Sequence, residues 1–485
     1  MDATPEPALR ERLTAIVGAG GLLTGSADMA PYLVDERKRY RGAAQAVVRP
    51  STTDEVARVV ALCAEGKIPI VPQGGNTGLC GAATPDSSGR ALVLSLARLN
   101  RVREVDPLNY TITVEAGVIL ADVQNAAAEV DRLFPLSLGG EGTARIGGNL
   151  STNAGGTGVL RYGNARDLAL GLEVVLPDGR VWDGLSALRK DNTGYDLKHL
   201  FIGAEGTLGI ITAAVLKLFP RPRAVETALV AIDDPAAAVE LLARARAATG
   251  DRVTAFELIL RLPFEMTIAR IEGTRDPFAE RHPCYVLAEL SAGSEHDDVR
   301  GRMESLLAEA MEDGLVRDAV IAESGGQAAD FWKIRETVPE AQTRDGISIK
   351  HDVSVPVSRI PAFMREAAAA AETAVDGVRV CAFGHVGDGN LHFNMSQPAG
   401  GDGAAFLARE SELNAIVHDA AARHGGSISA EHGIGQLKRE ALVQYKPGIA
   451  IDLMRRIKQA LDPDNLMNPG KVLDPPDSRP ARRTS

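Results

Sequence analysis

The sequence predicts an α+β protein with two lobes, and three observations lead to this prediction. Its 485 residues are too many for one ordinary domain. Glycine clusters recur through the first half and become rare near Phe219, whereas the second half alternates strand patterns with alanine-rich helical patterns. We interpret that alternation as helices packed on an antiparallel sheet. The expected parts are a glycine-rich lobe at 1–222, an α+β lobe at 223–440, a segment 441–475 that packs back on the first lobe, and a disordered tail at 476–485.

Helices and strands of the first lobe follow from capping residues and apolar runs. Ser51–Asp54 supplies N-cap residues and Gly66 a helix end, which together bound a helix at 53–65. Pro177-Asp-Gly179 separates two apolar runs and predicts a hairpin. The predicted helices are 8–17, 53–65 and 119–130, and the predicted strands are 46–48, 68–71, 91–96, 110–115, 172–176 and 180–181.

In the second lobe, the clearest strand pattern is an alternation of apolar and polar residues from 347 to 355. His351 falls on its apolar side, where we expect a core or edge histidine, and Lys350 falls on its polar side. Arg335 lies on a predicted helix that ends near Pro339. Pattern alone leaves both cations open as solvated or as functional residues. The other predicted strands are 227–232, 255–259, 284–290 and 378–383, and the other predicted helices are 235–248, 296–310 and 360–374.

Composition narrows the class of protein. Apolar residues make up 45% of the chain and charged residues 24%, as in globular proteins. A net charge of −11 argues against a nucleic-acid partner. The sequence has no signal-peptide pattern and no apolar run of about 18 residues, so we expect a cytoplasmic protein without a membrane span. The four cysteines lack paired spacing and are expected to be reduced and mostly buried.

Four glycine clusters recur in the first lobe, and none matches a Rossmann or Walker A fingerprint. They begin at Pro72, Leu138, Lys190 and Ile202. Glycine lets backbone N–H groups converge on phosphate oxygens and allows close approach to a flat ring. A large anionic dinucleotide that runs through the lobe would explain all four clusters.

The second lobe carries two histidines on either side of an Asp-Gly pair. Asp-Gly between apolar flanks predicts a two-residue hairpin turn at positions 388 and 389. That turn places His385 directly opposite His392, with Asn394 on the same sheet face. The residues are compatible with a hydrogen-bonded histidine pair and equally with the start of a metal site. Glu431, which lies beside His432 in a glycine-bounded segment, would be a suitable third ligand.

At three glycine clusters, the chain resembles flavoproteins of the vanillyl-alcohol-oxidase type. Pro72-Gln-Gly-Gly-Asn-Thr-Gly78 is similar to the pyrophosphate loop of that fold, and 146–156 and 202–210 are similar to its second and third flavin-binding segments. The resemblance covers almost the whole chain and implies FAD. Members with covalent flavin carry a histidine where Asn76 stands, so the resemblance implies non-covalent FAD. The residues that it assigns to the cofactor are Pro72, Gly74, Gly75, Asn76, Thr77, Gly78, Leu79, Gly142, Gly147, Gly148, Asn149, Thr152, Asn153, Gly155, Gly156, Gly203, Glu205, Gly206, Gly209, Ile210 and Asn468.

The second lobe resembles the FAD-linked 2-hydroxyacid dehydrogenases, in particular the D-2-hydroxyglutarate and D-lactate dehydrogenases. The matching segments are 384–392 and 429–433. Carried over by position, the resemblance implies zinc or a similar divalent ion on His385, His392 and Glu431. It also implies His432 as general base and substrate contact, and Arg335, Lys350 and Asn394 as further substrate ligands.

One residue departs from the pattern of the D-2-hydroxyglutarate enzymes. A threonine that helps to bind the substrate stands in those enzymes at the place of Pro339, and proline offers no hydroxyl. Two cations beyond the metal are nevertheless more than a monocarboxylate needs. The expected substrate is therefore a dicarboxylate such as D-2-hydroxyglutarate, and D-lactate or glycolate is the alternative.

The residue types suit the chemistry of such an oxidation. The hydroxyl proton must be removed and a hydride must pass from C2 to flavin N5. A metal acidifies the hydroxyl, a neutral histidine accepts its proton, and arginine and lysine bind carboxylates. The expected acceptor of electrons from the reduced flavin is an electron-transfer flavoprotein or a quinone. The protein is expected to form a homodimer. A non-enzymatic metal-binding protein with purely structural glycine loops is the alternative of another class.

Overall fold

The computed structural model describes residues 6–250 and 252–473, which form two compact units. Unit 1 comprises 6–154, 164–220 and 431–473, and unit 2 comprises 155–163 with 221–250 and 252–430. The chain passes from unit 1 to unit 2 at Pro220, within two residues of the expected boundary. It differs from the expected division at 155–163, which belong to unit 2, and at 431–440, which belong to unit 1. The predicted tail at 476–485 and the last two residues of the predicted segment 441–475 lie outside the described residues.

The strands fall in two groups, with β1 to β11 in unit 1 and β12 to β19 in unit 2. They are β1 (Leu22–Leu23), β2 (Ala46–Val48), β3 (Ile70–Gln73), β4 (Leu92–Ser95), β5 (Val102–Asp106), β6 (Thr111–Glu115), β7 (Arg132–Leu133), β8 (Ala169–Val175), β9 (Val181–Gly184), β10 (Ile210–Lys217), β11 (Phe219–Pro220), β12 (Ala224–Ile232), β13 (Val253–Leu260), β14 (Cys284–Ala292), β15 (Asp318–Ile321), β16 (Ser348–Ile349), β17 (Val353–Ser354), β18 (Arg379–His385) and β19 (Asn390–Ser396).

The helices confirm the predicted positions to within a few residues where a helix was predicted. They are α1 (Pro7–Val17), α2 (Ser26–Met29), α3 (Thr53–Gly66), α4 (Leu120–Glu129), α5 (Ile146–Ser151), α6 (Val159–Tyr162), α7 (Ala165–Leu168), α8 (Lys198–Phe201), α9 (Pro235–Thr249), α10 (Arg261–Arg270), α11 (Val299–Glu312), α12 (Gly325–Glu336), α13 (Val338–Asp345), α14 (Ile360–Ala374), α15 (Gly403–Leu407), α16 (Glu410–Arg423), α17 (Arg439–Tyr445) and α18 (Gly448–Leu461). The Thr52 hydroxyl caps α3 by accepting from Glu55 N. Asp298 caps α11, which explains why that helix begins three residues later than predicted.

Unit 1 is built on two main sheets. The order in the four-stranded sheet is β1-β2-β4-β3, with β2 and β3 both parallel to β4. The order in the five-stranded antiparallel sheet is β5-β6-β10-β8-β9, and its β8–β9 hairpin was predicted. Strand β5, which the prediction missed, is largely polar and exposed, so it carries no apolar signal. Residues from the end of the chain join the first sheet, since Ile70 N donates to Leu466 O and Asn468 N to Ile70 O.

Unit 2 is built on one eight-stranded antiparallel sheet, as predicted. Seven of its strands follow the order β15-β12-β14-β13-β18-β19-β16, and β17 also pairs with β19. One face packs on α9, α11, α14 and α16 through a large apolar core. The other face carries a smaller apolar cluster that includes Tyr285 and Phe383, together with residues of α10 and α12. The polar residues considered below lie on this second face.

The predicted register of the β18–β19 hairpin is wrong by two residues. His385 pairs with Asn390, and His392 pairs with Phe383, so the two histidines are diagonal neighbours rather than directly opposed. The connection has four residues because Asp388 does not adopt positive φ; its carboxylate instead accepts from Asn390 N at 2.9 Å. A shift of two residues preserves the face of every side chain. The prediction that the histidines and Asn394 share a face is therefore confirmed.

The alternation at 347–355 is present, but the strand is interrupted. The short strands β16 and β17 pair with β19 in one common register, which places Lys350 across from Asn394 and Asp352 across from His392. His351 is buried in the core, as predicted. The polar side of the alternation is not a solvated face, because Asp352 is only 1% exposed.

Two predictions about the chemical setting can be compared with the described residues. All four cysteines are buried, and none of them forms a disulfide within the described residues. Within 6–250 and 252–473, no helix is long and apolar enough to cross a membrane. The cytoplasmic location and the homodimer stay predictions.

Candidate active site

The expected flavin-binding segments 146–156 and 202–210 are joined by backbone hydrogen bonds. Gly203 N donates to Leu150 O at 2.9 Å, and Glu205 N donates to Ser151 O at 2.8 Å. Glu205 adopts positive φ (51°) at this junction. The two segments are therefore held side by side, and glycine-rich backbone of this type can present N–H groups to an anion.

Glycine is required where these segments meet the pyrophosphate-type loop. A Cβ atom added to Gly75 would lie 2.3 Å from the carbonyl oxygen of Thr143, and one added to Gly206 would lie 2.4 Å from Pro72 Cγ. At Gly147 an added Cβ would lie 2.7 Å from the side chain of Ala116. All three distances are well below van der Waals contact. The glycines thus permit close packing at these three positions.

Two buried amide oxygens in unit 1 have no hydrogen-bond donor among the described residues. They are Oδ1 of Asn149 and Oδ1 of Asn468. The orientation of the Asn468 amide is set, because its Nδ2 donates to Ala82 O at 3.0 Å and to Glu205 O at 2.7 Å. A buried acceptor without a partner is costly. The flavin ring N–H and the ribityl hydroxyls of FAD can donate hydrogen bonds to such oxygens. Asn149 and Asn468 therefore fit the expected cofactor.

Other residues assigned to the cofactor make contacts within the protein. Asn76 has positive φ (57°), and its Nδ2 donates to Val34 O at 2.8 Å. Asn153 Oδ1 accepts from Arg166 N at 2.9 Å, which orders the turn into α7. Gly155 and Gly156 belong to unit 2. The cofactor contacts of all these residues stay predictions.

The carboxylate of Glu205 holds the loop that follows His432. Its two oxygens accept from Ile434 N at 2.7 Å and from Gly435 N at 2.8 Å. Burial raises the pKa of Glu205, although these N–H groups and nearby lysines oppose the rise. Glu205, assigned above to the cofactor, thus also fixes the backbone beside the expected general base.

Glu431 and His432 are adjacent on this loop and largely buried. Their side chains are 21% and 20% exposed, and His432 Nε2 lies 4.0 Å from Glu431 Oε1. Gly433 follows with φ of 77°, and a Cβ there would meet the Glu205 carboxylate at 2.8 Å. The tight turn after His432 therefore depends on glycine. Sequence reasoning found both functional candidates but did not predict what anchors them.

In unit 2, the predicted site residues lie along one face of the sheet. Cross-strand pairing puts Glu257 of β13 beside His385 of β18, and His392 and Asn394 follow on β19. The rings of His385 and His392 are 5.9 Å apart between centroids. Arg335 reaches the same face from α12, where its guanidinium carbon lies 5.0 Å from the centre of the Phe383 ring. The helix that carries Arg335 ends at Glu336, within three residues of the expected end near Pro339, and α13 begins at Val338.

Glu257 is a buried carboxylate that sequence reasoning missed. Oε2 accepts from Arg335 Nε at 2.8 Å, and Oε1 lies 2.6 Å from His385 Nδ1. Burial alone would raise the pKa of Glu257, but the charges and hydrogen bonds of His385 and Arg335 outweigh burial and hold that pKa at about 2. Because Nδ1 of His385 contacts Glu257, Nε2 is the ring nitrogen on the side away from that carboxylate. Many histidine metal ligands have a carboxylate on their other ring nitrogen in this way.

Asp352 stands beside the second histidine in a similar way. Its Oδ1 accepts from Asn390 Nδ2 at 2.9 Å and lies 4.0 Å from His392 Nδ1. Oδ2 accepts from the backbone N–H of Ala430 at 3.1 Å. Glu431 is the next residue along the chain. A buried carboxylate thus accompanies each predicted histidine ligand of unit 2.

Asn394 and Lys350 occupy the outer part of this face. Asn394 is 3% exposed; its Oδ1 accepts from His351 N at 2.9 Å, and its Nδ2 donates to Gln342 Oε1 at 2.9 Å. These bonds fix the amide rigidly. Lys350 is half-buried, with Nζ 3.4 Å from the hydroxyl of Thr343. Substrate binding by Asn394 and Lys350 stays a prediction.

A weak sequence signal for Glu257 existed. It is the one charged residue in the strand Val253–Leu260, where every other position carries an apolar side chain or threonine. Charged residues are rarely buried unless they are paired. Asp352 was visible only as a polar position of the alternation, and nothing local distinguishes it from Lys350 or Ser354.

Comparison with known proteins identifies the family. The model for the FAD-binding domain matches residues 44–184, and the model for the C-terminal domain of FAD-linked oxidases matches residues 221–472. A relative from Xanthomonas citri, named D-2-hydroxyglutarate dehydrogenase, is 39% identical over 466 residues, which are 96% of this chain and 97% of the relative. The chain belongs to the FAD-linked D-2-hydroxyacid dehydrogenases. It is an FAD-dependent oxidoreductase, and the alternative of a non-enzymatic metal-binding protein is wrong.

Other relatives of this dehydrogenase come from eukaryotes. The Bos taurus protein named mitochondrial D-2-hydroxyglutarate dehydrogenase is 37% identical over 94% of this chain and 81% of its own length. A Saccharomyces cerevisiae protein named D-2-hydroxyglutarate–pyruvate transhydrogenase is 36% identical over 92% of this chain and 90% of its own length.

Solved structures confirm the predicted fold of this dehydrogenase. Alkyldihydroxyacetonephosphate synthase superposes with a TM-score of 0.74 at 20% identity, over 96% of this chain and 86% of that chain. p-Cresol methylhydroxylase gives the same TM-score and identity over 96% of both chains. Both have the vanillyl-alcohol-oxidase-type fold, so the α+β prediction of that fold is confirmed.

Proposed function

We propose that this dehydrogenase oxidises D-2-hydroxyglutarate to 2-oxoglutarate. The observation that carries the proposal is the buried Arg335, whose guanidinium lies on the same sheet face as the two histidines. Lys350 projects from the same face. Two cations suit a substrate with two carboxylates, and the names of several relatives support the same acid.

Glu257 orients the guanidinium group of Arg335. The Nε–H donates to Glu257, which fixes the plane of the guanidinium. The two terminal nitrogens of a guanidinium match the two oxygens of a carboxylate. We assign bidentate capture of one substrate carboxylate to Arg335, and a point-charge contact to Lys350. Asn394, already fixed by His351 and Gln342, would orient the substrate by a further hydrogen bond.

The cofactor and metal would each supply one element of the chemistry. FAD, held by the glycine-rich segments of unit 1, would accept at N5 the hydride that leaves C2 of the substrate. A divalent ion on His385, His392 and Glu431 would lower the pKa of the substrate hydroxyl. Zinc suits two imidazoles and a carboxylate, and Asp352 is a further carboxylate beside His392.

His432 would remove the hydroxyl proton. A neutral imidazole is a suitable base near pH 7. The loop that carries it is fixed by Glu205, so the ring does not depend on a mobile segment for its position. Removal of the proton and departure of the hydride together convert the alcohol into the 2-oxo acid. An electron-transfer flavoprotein or a quinone is proposed as the final acceptor.

D-Lactate is the second candidate substrate, and one residue favours it. Pro339, at the start of α13, offers no hydroxyl where the D-2-hydroxyglutarate enzymes carry a threonine. A monocarboxylate would need fewer polar contacts at this point.

The proposed function is tested by anaerobic reduction of the bound flavin. Purified protein is mixed with D-2-hydroxyglutarate, and the loss of flavin absorbance is followed together with 2-oxoglutarate formation. We expect one 2-oxoglutarate per flavin reduced, and no reduction with the L enantiomer. Absence of reduction by the D enantiomer in FAD-loaded protein would refute the proposal.

The metal is tested by chelation. Fully metal-depleted protein should retain FAD, lose turnover and regain it when Zn²⁺ is returned. Unchanged turnover after complete depletion would remove the metal from the reaction.

A further inference from the structure

Glu257 is a buried carboxylate at a position where stability alone would favour an apolar residue. It lies in β13, at the centre of the eight-stranded sheet, and is 1% exposed. An ionised carboxylate is costly to bury unless its partners compensate, and a buried apolar side chain carries no such desolvation cost. A buried charge at such a position is therefore informative about what its partners must do.

The two partners of Glu257 are the residues that the proposed function assigns to different ligands. Oε2 faces Arg335, the proposed carboxylate ligand, and Oε1 faces His385, a proposed metal ligand. Each oxygen serves one partner, and the partners come from α12 and β18. The contacts use Nε of the arginine and Nδ1 of the histidine. In both cases the atoms that would contact a ligand lie on the opposite side of the group.

We propose that Glu257 is a positioning residue that couples the two halves of the substrate site. By holding Arg335 and His385 on one rigid carboxylate, it fixes the distance between the group that binds a substrate carboxylate and the group that binds the metal. This inference rests on the proposed function and extends it. It assigns Glu257 no contact with substrate, metal or flavin.

The chemistry of the bridge predicts what an amide would do. Glutamine at this position has one acceptor and one donor, so it can accept from only one of the two partners. If its NH₂ faces His385, Nδ1 must act as acceptor and the proton moves to Nε2, which then cannot bind a metal. If its NH₂ faces Arg335, the Nε–H is left opposite another donor. Either orientation breaks one contact of the bridge, and loss of the carboxylate charge weakens the other contact.

A matched control is present on the same sheet face. The carboxylate of Glu289 in β14 accepts hydrogen bonds from Thr254 Oγ1 at 2.8 Å and from Trp332 Nε1 at 3.1 Å. Trp332 lies on the same helix as Arg335. Glu289→Gln therefore loosens α12 without touching a proposed ligand. Glu257→Gln and Glu289→Gln differ in whether the carboxylate joins Arg335 to His385.

The test uses the FAD-loaded full chain, stripped of metal and titrated with Zn²⁺. We expect Glu257→Gln to weaken Zn²⁺ binding by about 10- to 100-fold. At saturating Zn²⁺ its KM for D-2-hydroxyglutarate should rise by about 10-fold, with a smaller change in kcat. Glu289→Gln should leave both within threefold of wild type. In the double variant with Arg335→Ala, the KM should equal that of Arg335→Ala alone, because Glu257 acts on substrate through Arg335.

Two results would overturn the inference. One is Zn²⁺ affinity and KM within threefold of wild type in folded, FAD-loaded Glu257→Gln protein. The other is an equal loss in Glu289→Gln, which would mean that loosening α12 is sufficient. If the proposed function itself is wrong, D-2-hydroxyglutarate will not reduce the flavin of the wild type. An unchanged Glu257→Gln variant of an active wild type refutes the coupling alone.

If Glu257→Gln does not fold, Arg335→Lys tests the same bridge from its other end. Lysine keeps the positive charge but lacks the Nε–H that orients the carboxylate. Coupling predicts that this substitution weakens Zn²⁺ binding at least threefold, although residue 335 is not a metal ligand. A raised KM with unchanged Zn²⁺ affinity would mean that Arg335 acts alone and would refute the proposal.

Discussion

In unit 1, most of the residues expected to hold FAD lie on loops and would act mainly through backbone N–H groups. In unit 2, the proposed ligands are side chains that reach one face of the sheet. Some glycines of unit 1 lie where an added Cβ would meet neighbouring atoms at 2.3 to 2.4 Å, as at Gly75 and Gly206. The polar groups of unit 2 are held by buried carboxylates, as Glu257 holds His385. Unit 1 should therefore be sensitive to added atoms, and unit 2 to lost charge.

The largest expected effect comes from His432, which lies on a loop and not on the sheet of unit 2. His432→Ala should retain FAD but lower the rate of flavin reduction by about 10²- to 10⁴-fold, because it removes the proposed acceptor of the hydroxyl proton. Stopped-flow absorbance under anaerobic conditions measures this rate. The exposed His296 is the control, and its replacement by alanine should change nothing. Near-wild-type reduction in His432→Ala would remove it as the base.

Loss of charge in unit 2 should be the next largest effect. Arg335→Ala should cost about 2–5 kcal/mol in kcat/KM for D-2-hydroxyglutarate, since it leaves Glu257 and a substrate carboxylate without their common partner. Lys333→Ala, two residues earlier on α12 with its Nζ on Glu272 O, is the matched control. A loss under threefold for Arg335→Ala would place Arg335 outside the substrate site.

An added methyl group in unit 1 should have a smaller effect and a different signature. Gly75→Ala drives a Cβ against the Thr143 carbonyl and should cost about 1–3 kcal/mol of stability with weaker FAD binding. Gly78→Ala, in the same loop, meets nothing within 4 Å and should leave the melting temperature of the apoprotein unchanged. Equal melting temperatures for wild type and Gly75→Ala would contradict the packing argument. A fall in FAD affinity confined to Gly78→Ala would indicate that the cofactor itself lies against that residue.

The smallest expected effect concerns Pro339. It is exposed at the start of α13, and Pro339→Thr restores the hydroxyl that the D-2-hydroxyglutarate enzymes carry. Because one hydrogen bond is worth about 0.5–1.5 kcal/mol, we expect at most about a tenfold gain in preference for D-2-hydroxyglutarate over D-lactate. Steady-state kinetics with both acids measures the ratio. A shift towards D-lactate would mean that this position does not face the second carboxylate.

The same contrast between the units explains what the sequence could reveal. The glycine segments are contiguous in sequence, so their chemistry can be recognised locally. The face shared by His385, His392 and Asn394 was predictable because it depends only on the period of a strand, and it survived an error of two residues in register. The alternation at 347–355 likewise assigned its residues to the correct faces of the sheet.

The residues that escaped prediction are those defined by distant partners. Glu257 is separated by 78 residues from Arg335 and by 128 from His385, and no local pattern joins the three. Asp352 was assigned correctly to the polar side of its strand, but that side faces Asn390 and Ala430 rather than solvent. Burial of a polar position depends on which helices and loops cover the sheet, and strand periodicity does not contain that information.

The most direct test of the account is the choice between a dicarboxylate and a monocarboxylate. The measurement is the second-order rate constant for anaerobic flavin reduction in the wild-type enzyme, with D-2-hydroxyglutarate and with D-lactate. If Arg335 and Lys350 bind two carboxylates, D-2-hydroxyglutarate should be faster by about 30-fold or more. Equal constants, or a faster reaction with D-lactate, would contradict the assignment of the two cations of unit 2 to the substrate.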